Sequence, residues 1–164
     1  MHTMWYVCGC LPDRCSCPCI QMEVRKFRFE DLAAVVRIAQ GALEEKYTPE
    51  FLLYLWQMNP ESFLVAERGG NVIGFIIATR LALHELRILM IAVNTHMRKQ
   101  GVGSFLLKQL IMRFPEVRKI VLEVRPDNVE ALEFYKKHGF RVKGKVDDFY
   151  TDGSAAYLME KILF

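Results

Sequence analysis

Two short stretches hold residues that could do chemistry at informative spacings. The first, V-N-T-H-M-R-K-Q-G-V-G-S over residues 93–104, follows an apolar, β-branched run and precedes Phe105, Leu106, Leu110 and Ile111 at helical spacing. A strand therefore feeds a helix through a loop holding Arg98, Lys99, Gln100, Gly101 and Gly103. The N–H groups opening a helix have no carbonyl partners inside it and carry the positive end of its dipole. Glycines allow close approach to that backbone, and Arg98 and Lys99 add charge, so the junction suits a phosphate. It lacks the third glycine of a Rossmann fingerprint and the Gly-Lys-Ser/Thr ending of a P-loop, which removes those two nucleotide folds. The second stretch carries Glu123, the only charged side chain in I-V-L-E-V. Burying that carboxylate is costly unless it is paired or near water. Apolar neighbours would suit it to a general base, whereas Arg125, two residues on and on the same face of an extended strand, would pair with it and favour its charge. The plainer alternative puts Glu123 on a solvated strand face. Asn128 and Tyr135 lie seven residues apart, two helical turns, so both can face one groove. Tyr135 would serve equally well as a core aromatic.

These residues need elements to hold them. E-V-R-K-F-R-F from Met22 alternates as a first strand. Glu30 and Asp31 open a helix with the apolar stripe Leu32, Val35, Val36 and Ala39, and Gly41 loosens or ends it. Pro49 suits the first turn of a second helix, with Phe51, Leu52, Tyr54, Leu55 and Met58 as apolar faces. The L-E-E-K-Y-T-P between them carries Glu44, Glu45 and Tyr47, and reads as a solvated turn or a lip over a substrate. Residues 63–67 and 72–81 form a hairpin around Arg68-Gly69-Gly70-Asn71, and residues 86–93 add a strand after a turn at His84, which reads as a surface residue. A helix over 101–114 ends at Pro115. Residues 119–124 make a buried strand in a parallel or mixed core sheet. Asn128 caps a helix that Gly139 closes, and strands at 140–146 and 155–162 flank D-D-F-Y-T-D-G-S.

The chain of 164 residues suffices for one domain, and its net charge of +3 is too small to argue for nucleic acid as a main partner. No apolar run approaches the roughly 20 residues a membrane-spanning helix needs. Cys8, Cys10, Cys15, Cys17 and Cys19 all lie in the first 20 residues, spaced C-x-C-x4-C-x-C-x-C. The spacing departs from zinc-site pairs and the odd count leaves one thiol over. The readings are an appendage over residues 1–21, or a disulfide or metal staple there; no metal is assigned. No Lys or Arg precedes the apolar residues 4–11, which speaks against a secretory signal and for a cytoplasmic, soluble protein.

Arg98-x-x-Gly101-x-Gly103 after a strand ending at Val93 resembles the acyl-CoA-binding motif of the GNAT superfamily of N-acetyltransferases, with Thr95 where that family often has proline. Asn128-x-x-Ala131-x-x-x-Tyr135-x-x-x-Gly139-Phe140 resembles the family's second acyl-CoA segment, and L-E-V-R before it is similar to the ribosomal-protein N-acetyltransferase branch. The resemblance implies an α/β (α+β) GNAT fold over residues 22–164, a mixed, mostly antiparallel sheet of about seven strands flanked by about four helices. It implies acetyl-CoA as cofactor, with the diphosphate on the amides of Arg98, Lys99, Gln100, Gly101, Val102, Gly103 and Ser104. Backbone groups of Ile91, Ala92 and Val93 would bind the thioester end and its oxyanion, and Asn128 the pantetheine arm. Glu123 would act as base and Tyr135 would protonate the departing thiolate. Glu45 and Tyr47 match a Leu-Pro-Glu-x-Tyr segment of relatives acting on protein N-termini, with Glu44 in place of proline. Tyr150 matches an aromatic pair before Asp-Gly, with Phe149 in place of the first tyrosine. The implied acceptor is the α-amino group of a protein N-terminal peptide. Its rivals are a lysine or small amine as acceptor, and a non-catalytic acyl-CoA sensor.

Overall fold

Alternation along the chain from Met22 produces β1 (Met22–Lys26), with Met22 and Val24 turned into the core. The computed structural model describes residues 22–163. The cysteine segment at residues 1–21 lies outside the described residues. β1 is the edge of a seven-stranded sheet in the order β1-β2-β3-β4-β5-β7-β6. The other strands are β2 (Phe63–Arg68), β3 (Asn71–Ala82), β4 (Glu85–Val93), β5 (Lys119–Val124), β6 (Arg141–Val146) and β7 (Ala156–Ile162). β4 and β5 run parallel, while β1/β2, β2/β3, β5/β7 and β6/β7 are antiparallel, so the sheet is mixed as expected. Four helices accompany it: α1 (Leu32–Ala42), α2 (Pro49–Met58), α3 (Val102–Arg113) and α4 (Val129–Lys137). Contacts group the chain into two compact units, with β3 and β4 contributing to each.

The first unit runs to Ile77 and resumes over Met90–Leu110. Residues 29–31 form a single 3-10 turn before α1, because the Asp31 carboxylate accepts from the Arg28 N–H at 2.8 Å and from Arg25 at 2.7 and 2.9 Å. The helix therefore starts at Leu32, a little later than Glu30 and Asp31 suggested. It buries Val35, Ile38 and Ala39, and continues through Gly41 to Ala42. α2 opens as expected, with Pro49 in its first turn and the Thr48 hydroxyl accepting from the Phe51 N–H at 3.1 Å. Of the five apolar residues named from the sequence only Leu52 and Leu55 are buried; Phe51, Tyr54 and Met58 are exposed. An apolar residue on nearly every side of a helix leaves its inward stripe to be chosen by what it packs on. Here Phe27 supplies the packing, stacking on Phe63 at 4.2 Å and meeting Trp56 edge-on at 5.1 Å. α3 lies close on β3 at Gly74, where a Cβ would fall 3.0 Å from the Ala92 carbonyl and 3.1 Å from Val102.

The second unit comprises Ala78–Leu89 and the chain from Ile111 onward. β5 buries Ile120, Val121, Leu122 and Val124. Asn128 caps α4, its side-chain oxygen accepting from the Ala131 N–H at 3.1 Å, and Gly139 ends the helix region at φ +86°. Glu160 of β7 is buried and paired with Arg141 at 2.9 Å and Lys143 at 3.4 Å. Among the described residues no helix is long and apolar enough to cross a membrane.

Candidate active site

In the first unit, the end of β4 delivers the chain into the glycine-bearing loop. The ladder between β4 and β5 runs from Glu85–Lys119 to Arg87–Val121, and β4 continues past it to Val93. The Asn94 N–H donates to the Ile73 carbonyl at 2.8 Å, holding that end of the strand to β3. The Asn94 side-chain oxygen accepts from the His96 N–H at 3.0 Å, closing a short turn over Thr95–Met97. Lys99 and Gly101 then adopt φ of 59° and 80°. Alternation of left- and right-handed residues turns successive N–H groups into a concavity that receives anions. A non-glycine residue held at such a φ costs about 1 kcal/mol or more, so the loop is shaped against the intrinsic preference of Lys99. Arg68 braces it by donating to the Gln100 side-chain oxygen at 2.8 Å. Val102 opens α3 with its side chain buried, as is that of Ala92 on β4, so these two residues can offer a ligand only their backbone. Arg98 is exposed on the loop. Positive φ at Lys99 and Gly101, a helix N-terminus and two cations fit a diphosphate.

The same unit holds Glu45 and Tyr47 in the loop between α1 and α2, both half-buried. The Tyr47 ring stacks on Phe51 at 5.8 Å.

In the second unit, Glu123 is half-buried on β5 and accepts from Arg87 Nε of β4 at 3.0 Å. The partner expected from strand periodicity, Arg125, is engaged elsewhere. β5 ends at Val124, so Arg125 lies beyond the strand and turns to the loop between β6 and β7. Its guanidinium sits 3.9 Å over the Tyr150 ring and donates to Ser154 Oγ at 2.6 Å and Asp152 Oδ2 at 3.0 Å. Arg87, the partner of the Glu123 carboxylate, is a residue that strand periodicity did not pick out. Its signal is present all the same: it is the only charged side chain in residues 86–93, as Glu123 is in its own apolar run.

Tyr135 lies in the last turn of α4, only 6% exposed, with ring-edge contacts to Phe134 at 5.2 Å and Phe140 at 5.4 Å. Burial pushes its phenol up from the ordinary 10.0, and the neighbouring Tyr150 acts in the same direction. The phenol therefore keeps its proton throughout neutral pH. Of the residues singled out from the sequence, the second unit thus pairs Glu123 with an arginine and sets Tyr150 under Arg125, while the first places the glycine-bearing loop on the end of β4.

A mixed seven-stranded sheet accompanied, among the described residues, by four helices is the α/β fold of an acyltransferase class. Residues 32–140 match the model of the Acetyltransferase (GNAT) family, and the chain belongs to that family. It is an N-acetyltransferase that uses acetyl-CoA. It is 37% identical over 143 residues to an uncharacterized N-acetyltransferase of Methanocaldococcus jannaschii, covering 85% of this chain and 91% of that one. It is 29% identical to an N-alpha-acetyltransferase of Sulfurisphaera tokodaii, over 85% of this chain and 92% of the relative. Among solved structures, Ard1 from Thermoplasma volcanium is 39% identical, with a TM-score of 0.84, over 88% of this chain and 99% of that one.

Proposed function

We propose that this chain acetylates the α-amino group of protein N-termini by direct attack of the amine on acetyl-CoA, with residues 22–164 as the acetyltransferase domain, residues 1–21 as an appendage, and a cytoplasmic setting. The observation that carries the reading is an aromatic hairpin residue, Tyr150, stacked 3.9 Å under the Arg125 guanidinium in the same unit as the buried Tyr135. The N-alpha-acetyltransferase relative supports the choice of acceptor.

Acetyl-CoA supplies an acyl group activated as a thioester. Amides of residues 98–104 hold its diphosphate, with Val102 contributing backbone alone. The Asn128 side-chain oxygen is spent on capping α4, so its amide N–H groups are what it offers the pantetheine arm. Backbone N–H groups of Ile91, Ala92 and Val93, beyond the stretch of β4 laddered to β5, stabilise the carbonyl oxygen as charge grows on it. Glu123 takes a proton from the incoming amine. An α-amino group has a pKa of about 7.7–8.0 against about 10.4 for lysine, so an N-terminus asks far less of that base. Arg87 fixes the carboxylate in place. Tyr135 holds its proton more tightly than a thiol does, so its first service is a hydrogen bond to sulfur as the thiolate departs. Glu45, Tyr47 and Tyr150 seat the peptide.

Labelled acetyl-CoA offered with peptides bearing free or blocked N-termini, an internal lysine, and polyamines tests the proposal. Label on the free N-terminus alone is the expected result. Label on the lysine of the blocked peptide, or on polyamine, overturns it.

A further inference from the structure

Arg125 stands one residue past β5 and is nearly buried, with its side chain 12% exposed. Its side chain reaches the loop between β6 and β7. It stacks on Tyr150, and its Nη1 bonds both Ser154 and Asp152. The loop is also closed on itself. Ser154 Oγ donates to Asp152 Oδ1 at 2.5 Å and the Ser154 N–H to the same oxygen at 2.9 Å. The N–H groups of Phe149 and Tyr150 both donate to the Ser154 carbonyl at 3.0 Å, and the Gly153 N–H to the Tyr150 carbonyl at 2.9 Å. Asp148 and Gly153 take the positive φ values that allow so tight a path.

We propose that Arg125 is a positioning residue for the acceptor peptide: its guanidinium plane locks the Tyr150 ring and the 148–154 loop into the conformation that receives the substrate. This rests on the N-terminal peptide reading above and names what sets that site. A tyrosine on a hairpin loop would ordinarily sample several rotamers and pay for one of them on binding. Stacking under a guanidinium whose remaining bonds are already made removes that freedom before the peptide arrives. The side chain must be arginine, because a lysine ammonium could bond Ser154 and Asp152 but has no plane to lie on the Tyr150 ring.

Steady-state kinetics on Arg125→Met and Arg125→Lys test this, with free-N-terminus peptide and acetyl-CoA varied separately. Arg125→Met is expected to raise the peptide KM about tenfold while kcat and the acetyl-CoA KM stay within about twofold, and Arg125→Lys to recover little of the loss. The effects of Arg125→Met and Tyr150→Leu are expected to be far from additive in kcat/KM, since both remove one arrangement. Should Arg125→Met fail to fold, Asp152→Asn and Ser154→Ala each cut one bond of the fork from the exposed loop and are expected to raise the peptide KM a few-fold. Equal changes in both KM values, full rescue by Arg125→Lys, or additivity with Tyr150→Leu overturns the proposal. Wild-type enzyme that leaves free N-termini unacetylated sinks the peptide reading and this proposal with it; active wild type with an unmoved peptide KM in the variants sinks this proposal alone.

Discussion

Two side chains with opposite duties carry the proposed chemistry, and each predicts a distinct lesion. Glu123→Gln keeps the shape and a hydrogen-bond partner for Arg87 but abolishes the base. Turnover is expected to fall about 10²-fold or more while coenzyme A binds as before by calorimetry. Tyr135→Phe keeps the ring packed on Phe134 and Phe140 and removes only the proton. A comparable loss in kcat is expected, with both KM values and the urea midpoint little changed. A loss of coenzyme A affinity in either variant would show that these side chains bind and do not react. At this scale the sequence identified Glu123, since a lone charge stands out against apolar neighbours, and passed over Arg87, the equally lone charge of its own run. It did not show that Arg87 and Glu123 are partners, because a separation of 36 positions hides a parallel pairing no local spacing reveals.

Elements were read well wherever the signal is local. Pro49 opened α2, Asn128 capped α4, and Gly69 and Gly70 turned the β2–β3 hairpin at φ of 57° and 80°. The inward face of α2 was not legible, because its apolar residues surround the helix and only packing on Phe27 selects Leu52 and Leu55. Two glycines test how elements are held. Gly74→Val pushes a branched side chain against Ala92 and α3, and is expected to cost about 1–3 kcal/mol in urea unfolding. Gly101→Ala imposes a Cβ on a residue at φ 80° at the mouth of the anion loop. It is expected to cost only about 1 kcal/mol of stability yet to weaken coenzyme A binding severalfold by calorimetry. Unchanged affinity would move the diphosphate away from this loop.

Across the whole molecule, the shifted ionisations set a stability optimum on the alkaline side of neutral. Burial, aided by Lys161 and Lys137, holds His138 below its ordinary 6.5. The unfolded chain therefore gains that proton first as pH falls, and stability declines below about 6.5. Burial alone would raise Asp31, but bonds from Arg25 and Arg28 outweigh it and hold the carboxyl low. Asp152, bonded by Ser154 and Arg125, falls to about 2. Each depressed carboxyl contributes stability above its unfolded pKa and loses it as pH falls through the folded one, so a second decline follows below about pH 4. Tyr135 has the opposite sign. Its raised pKa contributes stability that is full below 10.0 and is lost as pH rises beyond it. Urea midpoints from about pH 3 to pH 11 are expected to peak between these limbs; a maximum near pH 5 would contradict the His138 contribution. By itself the sequence determined the strands, helices, the Asn128 cap and the family, because periodicity, turn chemistry and motif spacing are recorded among near neighbours. Only the tertiary structure decided that Glu123 belongs to Arg87 and that Arg125 belongs to Tyr150, because strand pairing and the exit from β5 bring together side chains that no local pattern relates.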